Sequence, residues 1–349
     1  MRILLLIPTL TGGGAERQLA YLGGELQRRG HDVLAGFLHH GTGAWPDEIP
    51  THPFARHSRW SEGLIRDIVR LIRAWKPDVV QTCITRMDVA GGIAANVTRV
   101  PHVLREPNTA AAYRDIKSRL RRFIGRRAAA IVANSDAGAA YWAHARTFVI
   151  PNAVPFDEIS RAELLSRPDD AALVLYAGRL EPQKNVDVVL RAFAMVAAER
   201  PAQLTICGDG PQREHLEALA RELRIDDRVN FAGFVQNIWS YQRAADVALL
   251  VSDFEGHPNV VSECFAAGAP MILSDIPVHR SLAEENSLLV PPRDVAATAD
   301  AIRNVLDDRT AARERAARAR ARVSEISIPR MAAAYEDVYA VVQRACIPR

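Results

Sequence analysis

The chain has 349 residues, 48% of them hydrophobic and 24% charged, too long for one ordinary domain and sized for two of roughly 150 to 180 residues each. That balance excludes a disordered chain, and the net charge of +3 is small enough that only its local placement carries information. Four scattered cysteines, Cys83, Cys207, Cys264 and Cys346, argue against a disulfide framework and a thiolate metal site and fit a reducing cytoplasm.

The apolar start, Met1 to Pro8, runs directly into a glycine-rich turn and an amphipathic helix, so it reads as a first buried strand and not as a signal peptide. No run approaches the roughly 18 apolar residues of a membrane span. Strand candidates then alternate with helix candidates: 2–10, 31–37, 78–83, 101–105, 129–134 and 147–150. Near-continuous apolar strands in such alternation predict a parallel sheet covered on both faces, with binding sites at the strands' C-terminal ends. At the first such end stands Thr11-Gly12-Gly13-Gly14-Ala15-Glu16-Arg17, where Gly13 and Gly14 let backbone approach a ligand before the helix begins. Glycines also serve as plain turn punctuation. The spacing is not the GxGxxG of dinucleotide folds, which weakens a nicotinamide-dependent oxidoreductase as an alternative.

After the fourth strand comes the polar cluster Leu104 to Thr109, with Arg105 and Glu106 placed either to meet a substrate or to form a loop ion pair. The segment 117–127 holds six basic residues and no acidic one, with Leu120, Phe123 and Ile124 at helical spacing. It suits an anionic membrane surface, or an ordinary helix that packs its apolar stripe inward and leaves its arginines in solvent. Without an aromatic platform it does not suit nucleic acid. Residues 156–170 are polar and without apolar period, as an interdomain linker would be.

A second alternating series follows: 173–177, 203–207, 229–232, 247–251, 270–274 and 287–290. Two doubly wound α/β domains facing a central cleft are the simplest architecture. The first strand of this series ends in Gly178-Arg179-Leu180-Glu181-Pro182-Gln183-Lys184-Asn185. Arg179 and Lys184 flank the turn, so both cations can reach one diphosphate; they can also be idle loop charges. Gly208 sits in a tight turn beside the same crevice. The fourth strand runs into Ser252-Asp253-Phe254-Glu255-Gly256-His257-Pro258, with Pro258 at the first helical position and the backbone amides of Asn259, Val260 and Val261 offered to an anion. Glu255 would lie at the strand end, and Glu263, further along the helix, suits the diol of a ribose. Solvated helix-end charge is the other reading of this pair. The arginine-rich stretch 311–323 reads as a solvated helix, followed by a last helix at 331–343.

A Glu, seven residues and a second Glu in a strand-loop-helix setting resembles the signature of the retaining glycosyltransferases of family 4. The glycine loop, the run Gly178 to Asn185, and Val229 to Val235 resemble that family in order along nearly the whole chain. The resemblance implies two facing domains of the GT-B type. Residues 1–155 would form an acceptor domain completed by 329–349, and 171–328 a nucleotide-sugar domain. It implies a donor held by Arg179, Lys184 and Glu255, with Phe234 and Val235 near the nucleobase, a UDP-sugar favoured, no metal or other cofactor, and retention at the anomeric carbon. Where many members carry a histidine, this chain has Arg105 and Glu106, which assigns them to the acceptor and leaves a non-catalytic sugar-nucleotide-binding protein as the alternative. With the basic segment, a glycan or lipid-linked acceptor at the cytoplasmic membrane face and a part in surface polysaccharide assembly are the expected setting.

Overall fold

The structure, a computed structural model, describes residues 1–10, 13–40, 45–54, 62–107, 116–142, 144–165 and 171–346, without the side chains of residues 116, 117 and 346. The chain divides into two units, one of Met1–Ala153 with the chain from Ile328 onward, the other of Val154–Ser327.

The first unit contains β1 (Arg2–Leu6), β2 (Thr9–Leu10), α1 (Gly14–Arg28), β3 (Asp32–Phe37), β4 (His39–His40), β5 (Thr51–Pro53), α2 (Glu62–Trp75), β6 (Val79–Cys83), α3 (Thr85–Thr98), β7 (His102–Glu106), α4 (Ile116–Gly125), β8 (Ala130–Ala133), α5 (Asp136–Trp142) and β9 (Thr147–Val149). Its main sheet is parallel, in the order β5-β3-β1-β6-β7-β8-β9. Successive β1 side chains feed opposite cores, as the period of a strand dictates. Ile3 and Leu5 pack with Leu19, Leu22 and Leu26 of α1, while Leu4 and Leu6 pack with Leu64, Ile68 and Met87 from α2 and α3. The single strand expected over residues 2–10 breaks at Pro8, which has no N–H to give a ladder; its carbonyl instead accepts from Leu38 and His39. No apolar run announces β5, a three-residue edge strand ending in proline, a position where proline costs no ladder bond.

The second unit contains α6 (Phe156–Arg161), β10 (Ala172–Ala177), α7 (Val186–Ala197), β11 (Ala202–Cys207), α8 (Arg213–Glu222), β12 (Val229–Gly233), α9 (Ile238–Ala244), β13 (Val247–Leu250), α10 (Asn259–Ala267), β14 (Met271–Ser274), α11 (Pro277–Ala283), β15 (Leu288–Val290), α12 (Val295–Asp307) and α13 (Arg309–Val323). Its sheet is parallel, in the order β12-β11-β10-β13-β14-β15. The predicted linker is corrected at its start: residues 156–161 are helical, with Ile159 buried in this unit's core, and residues 166–170 lie outside the described residues. Helix α13 buries Ala312, Ala316, Ala319 and Val323, a stripe at helical spacing that turns its arginines outward. The last helix, α14 (Ile328–Cys346), places Met331, Ala332, Tyr335, Val338, Tyr339 and Val342 in the core of the first unit.

Candidate active site

In the second unit the chain works outward from β10 through β11 to β12, then returns to pair β13 on the other side of β10. The loops leaving β10 and β13 therefore diverge, and the crevice between them is where open α/β sheets bind ligands. The β10 loop is laced to its neighbours by backbone: Gly178 N–H donates to Cys207, Leu180 N–H to Asp209, and Gly208 N–H to Gly233. Gly208 has φ +147°, and a Cβ there would collide with the Gly178 carbonyl. Only glycine permits loops this close.

Lys184 closes a short 3-10 turn after β10, and its Nζ lies 2.5 Å from Glu255 Oε1, in the loop after β13. Ser252 Oγ donates to the same carboxylate oxygen at 2.6 Å. Two residues 71 positions apart in sequence thus meet because their strands are neighbours at the reversal point. Arg179 does not join them as expected: its side chain is 75% exposed and its guanidinium pairs with Glu181 at 2.6 Å. The reason is local, since a long exposed side chain takes the carboxylate two residues away. Below it, Tyr176 donates its hydroxyl to the Arg179 carbonyl at 3.1 Å. Burial raises the Tyr176 pKa, which keeps that proton on oxygen.

Pro258 is the cap of α10 and Asn259 its first residue, one position later than predicted. The Val261 N–H already donates to the Pro258 carbonyl at 3.1 Å, so this amide is not offered outward as the sequence reading had it; Asn259 and Val260 remain in the first turn. Glu263 is almost wholly enclosed within α10. Phe234 is exposed just after Gly233, which has φ +67°, and Val235 packs on the core. Asn185, missed as a functional residue although it closes the Gly178–Asn185 run, donates to the Val251 carbonyl at 3.0 Å and to Asp253 at 2.8 Å. Arg293 holds Asp253 through two bonds, at 2.9 and 2.6 Å, and depresses that carboxyl's pKa. Ser252 and Tyr176 were also missed; a serine and a tyrosine in apolar runs carry no pattern that marks them.

In the first unit Gly13 caps α1 and Gly14 opens it; Gly12 lies outside the described residues. Glu16 folds back over Gly13, where a Cβ would stand 2.6 Å from its carboxylate, and accepts from Thr9 Oγ1 at 2.9 Å. The assignment of Arg105 and Glu106 to the acceptor is corrected. They are 3% and 0% exposed. Arg105 donates to Asn152 Oδ1 at 2.7 Å, Tyr335 Oη at 3.2 Å and the Ala15 carbonyl at 3.4 Å. Glu106 accepts from Arg121 at 2.5 Å and Trp142 Nε1 at 3.0 Å, and Arg121 also grips Asp88 at 2.5 Å. Asn108 and Thr109 lie outside the described residues.

Arg121 also corrects the reading of α4. It is buried, Leu120 and Phe123 are 41% and 52% exposed, and only Ile124 of the expected apolar stripe faces inward. Two carboxylates beneath the helix set its rotation more strongly than its apolar residues do. Arg119, Arg126 and Arg127 are exposed, with the Arg127 guanidinium 3.9 Å from the centre of the Phe123 ring; the side chain of Lys117 is not among those described. Among the described residues no helix is long and apolar enough to cross a membrane, and no three His, Cys, Asp or Glu side chains gather as metal ligands would.

Residues 158–322 match the family Glycosyl transferases group 1, and residues 12–158 match Glycosyltransferase Family 4. The chain is 31% identical over 320 residues to the D-inositol 3-phosphate glycosyltransferase of Xylanimonas cellulosilytica, across 80% of this chain and 76% of that one. It is 36% identical over 163 residues to the lipopolysaccharide core biosynthesis glycosyltransferase LpsD of Rhizobium meliloti, 46% of each chain. The crystal structure of Anabaena HepE in complex with UDP-glucose superposes with a TM-score of 0.85 over 97% of this chain and 99% of that one, at 21% identity, which shows a shared fold. The chain spans less than half the length of several other curated relatives it matches, 17%, 41% and 43% of three of them. Matched along most of its length by one relative, and by two profiles that meet at residue 158, the chain belongs to the group 1 glycosyl transferases of family 4.

Proposed function

We propose that the chain moves a sugar from a nucleotide-diphosphate donor, a UDP-sugar, to a hydroxyl of a glycan or lipid-linked acceptor. The observation that carries this reading is the Lys184–Glu255 pair, 2.5 Å apart at the reversal point of the second sheet and four residues before α10 begins. As the bond between the anomeric carbon and the diphosphate oxygen breaks, the electron pair goes to that oxygen. Lys184 and Arg179 would then exchange their carboxylate partners for phosphate oxygens, and the first turn of α10 would add its dipole. Glu255, released from Lys184, would accept from the sugar hydroxyls and Glu263 from the ribose. Gly208 brings backbone to the donor, and Phe234 and Val235 border the nucleobase. These cations supply the charge stabilisation, so the reading gives no metal ion a role. Retention follows from the family resemblance, with the donor phosphate oxygen taking the acceptor's proton on the face the leaving group vacates.

The UDP in the HepE complexes and the lipopolysaccharide core assignment of LpsD support the donor and the setting. Exposed Leu120 and Phe123 among Arg119, Arg126 and Arg127 favour an anionic lipid surface at the cytoplasmic face, where a lipid-linked acceptor would be met. The test is a thermal-shift screen over nucleoside diphosphates and their sugars, followed by assay of nucleoside diphosphate release from whichever stabilises. Stabilisation by UDP with release from a UDP-sugar upholds the reading; stabilisation without release on any acceptor leaves a binding protein in its place. Co-sedimentation with anionic vesicles, lost in the double variant Leu120→Ser, Phe123→Ser, tests the lipid surface.

A further inference from the structure

We infer that His279 and Ser274 form a positioning pair that sets the Glu255 carboxylate, acting through the backbone of Ser252. The inference rests on the function proposed above and adds residues that no motif in the sequence marked.

His279, on α11, and Ser274, at the end of β14, are both fully buried. His279 Nδ1 lies 3.0 Å from the Ser274 carbonyl oxygen and 3.1 Å from Ser274 Oγ. A carbonyl oxygen only accepts, so Nδ1 carries the imidazole proton and shares it between the two oxygens. Burial lowers the His279 pKa, with the charges of Glu255 and Lys184 acting on it in opposite senses, and the ring is held neutral. Ser274 Oγ, already accepting from Nδ1, gives its own proton to the Ser252 carbonyl at 2.6 Å. If Nδ1 were bare, it would compete for that hydroxyl proton and the Ser252 carbonyl would lose its donor. The histidine's tautomer therefore aims the serine.

Ser252 in turn donates from Oγ to the Glu255 oxygen that Lys184 also holds. Because β14 is the neighbour of β13, the relay ties the loop bearing Glu255 to the strand on one side. Asn185 ties it on the other, from the loop after β10, through the Val251 carbonyl and Asp253. A carboxylate that must leave Lys184 for sugar hydroxyls needs a fixed backbone beneath it, since displacement by about 1 Å costs on the order of a hundredfold in rate. No charge on His279 is involved; its service is one directed N–H.

The test compares His279→Leu, which keeps bulk, with His279→Asn, whose amide N–H falls where Nδ1–H was. Turnover in His279→Leu is expected to fall between about tenfold and a hundredfold with the donor KM changed less than about threefold, and His279→Asn to recover most of it. Ser274→Ala breaks the same relay with a smaller volume change and serves where His279→Leu does not fold. Amide hydrogen exchange over residues 251–258 is read in parallel: it rises in His279→Leu and Ser274→Ala and stays near wild type in His279→Asn. Unchanged turnover and unchanged exchange in the folded variants overturn the positioning role, as does loss in His279→Asn equal to that in His279→Leu. A wild-type protein that transfers no sugar overturns the proposed function instead, and the exchange measurement still decides whether the relay holds the loop.

Discussion

The two units carry charged clusters at their strand ends, and the clusters differ in what surrounds them. In the first unit Arg105, Glu106, Asp88 and Arg121 are enclosed and spend their hydrogen bonds on one another and on Trp142, Asn152 and Tyr335. In the second, Arg179 stands in solvent beside Glu181, and Lys184 meets Glu255 in a half-open loop. Removing a charge from water is costly unless partners are in place, so a cluster whose enclosed cations and anions are paired with one another fixes structure and has little to offer a ligand. A cluster left partly wet can trade a carboxylate for a phosphate at small cost. Similar residues thus brace the fold in one unit and stay within reach of solvent in the other.

The sharpest way to break this contrast is to remove the shared cation of the first cluster. Arg121→Met leaves the Asp88 and Glu106 carboxylates buried without it and is expected to destabilise the protein by about 3–5 kcal/mol, read as a lowered denaturant midpoint. A loss below about 1 kcal/mol would mean that the cluster is as dispensable as a surface pair. Lys184→Ala addresses the other side: turnover is expected to fall about a hundredfold or more, because charge on the leaving group peaks late in bond breaking, while UDP affinity measured by calorimetry falls by less. Equal losses in both would make Lys184 a ground-state ligand only.

A third expectation concerns pH. Thr82 donates its hydroxyl to Asp88 at 2.7 Å and so must accept from His102 Nε2–H at 2.9 Å, which places a proton on His102 Nε2. Burial lowers its pKa to about 4 from an ordinary 6.5. Below pH 6.5 the unfolded chain binds a proton that the folded one refuses, until the folded site also titrates near pH 4. Stability therefore falls with pH through that window, by about 3 kcal/mol for this group. His102→Gln keeps a donor for Thr82 and does not titrate, so denaturation at pH 7.5 and 4.5 should show a smaller difference in the variant than in the wild type. The smallest effect is expected from Tyr176→Phe, which removes one hydrogen bond under Arg179: about 1 kcal/mol of stability and a few-fold in turnover. A larger fall in turnover would show that the Arg179 backbone must be held more tightly than an exposed side chain suggests.

Both main parallel sheets could be read from the sequence because a strand covered on two faces is apolar nearly throughout, and 2–6, 172–177 and 247–250 carry that signature without help from distant residues. The loops that meet at Lys184 and Glu255 were legible for a related reason. Glycines that allow close backbone, a proline at a helix start and charges at strand ends are local features whose chemistry implies an anion. Whether a strand-end charge faces a ligand or the interior was decided only by the fold. Arg105 and Glu106 look like Arg179 and Glu255 along the chain, but Arg105 is met in the interior by Asn152 and Tyr335, 47 and 230 residues later, and Glu106 by Arg121 and Trp142, 15 and 36 residues later. The rotation of α4 was hidden in the same way, because the carboxylates that turn Arg121 inward and expose Phe123 belong to α3 and β7. Sequence records which groups need partners; only the packed molecule assigns them, since the energy of a buried charge is set by what stands within a few ångströms of it in space.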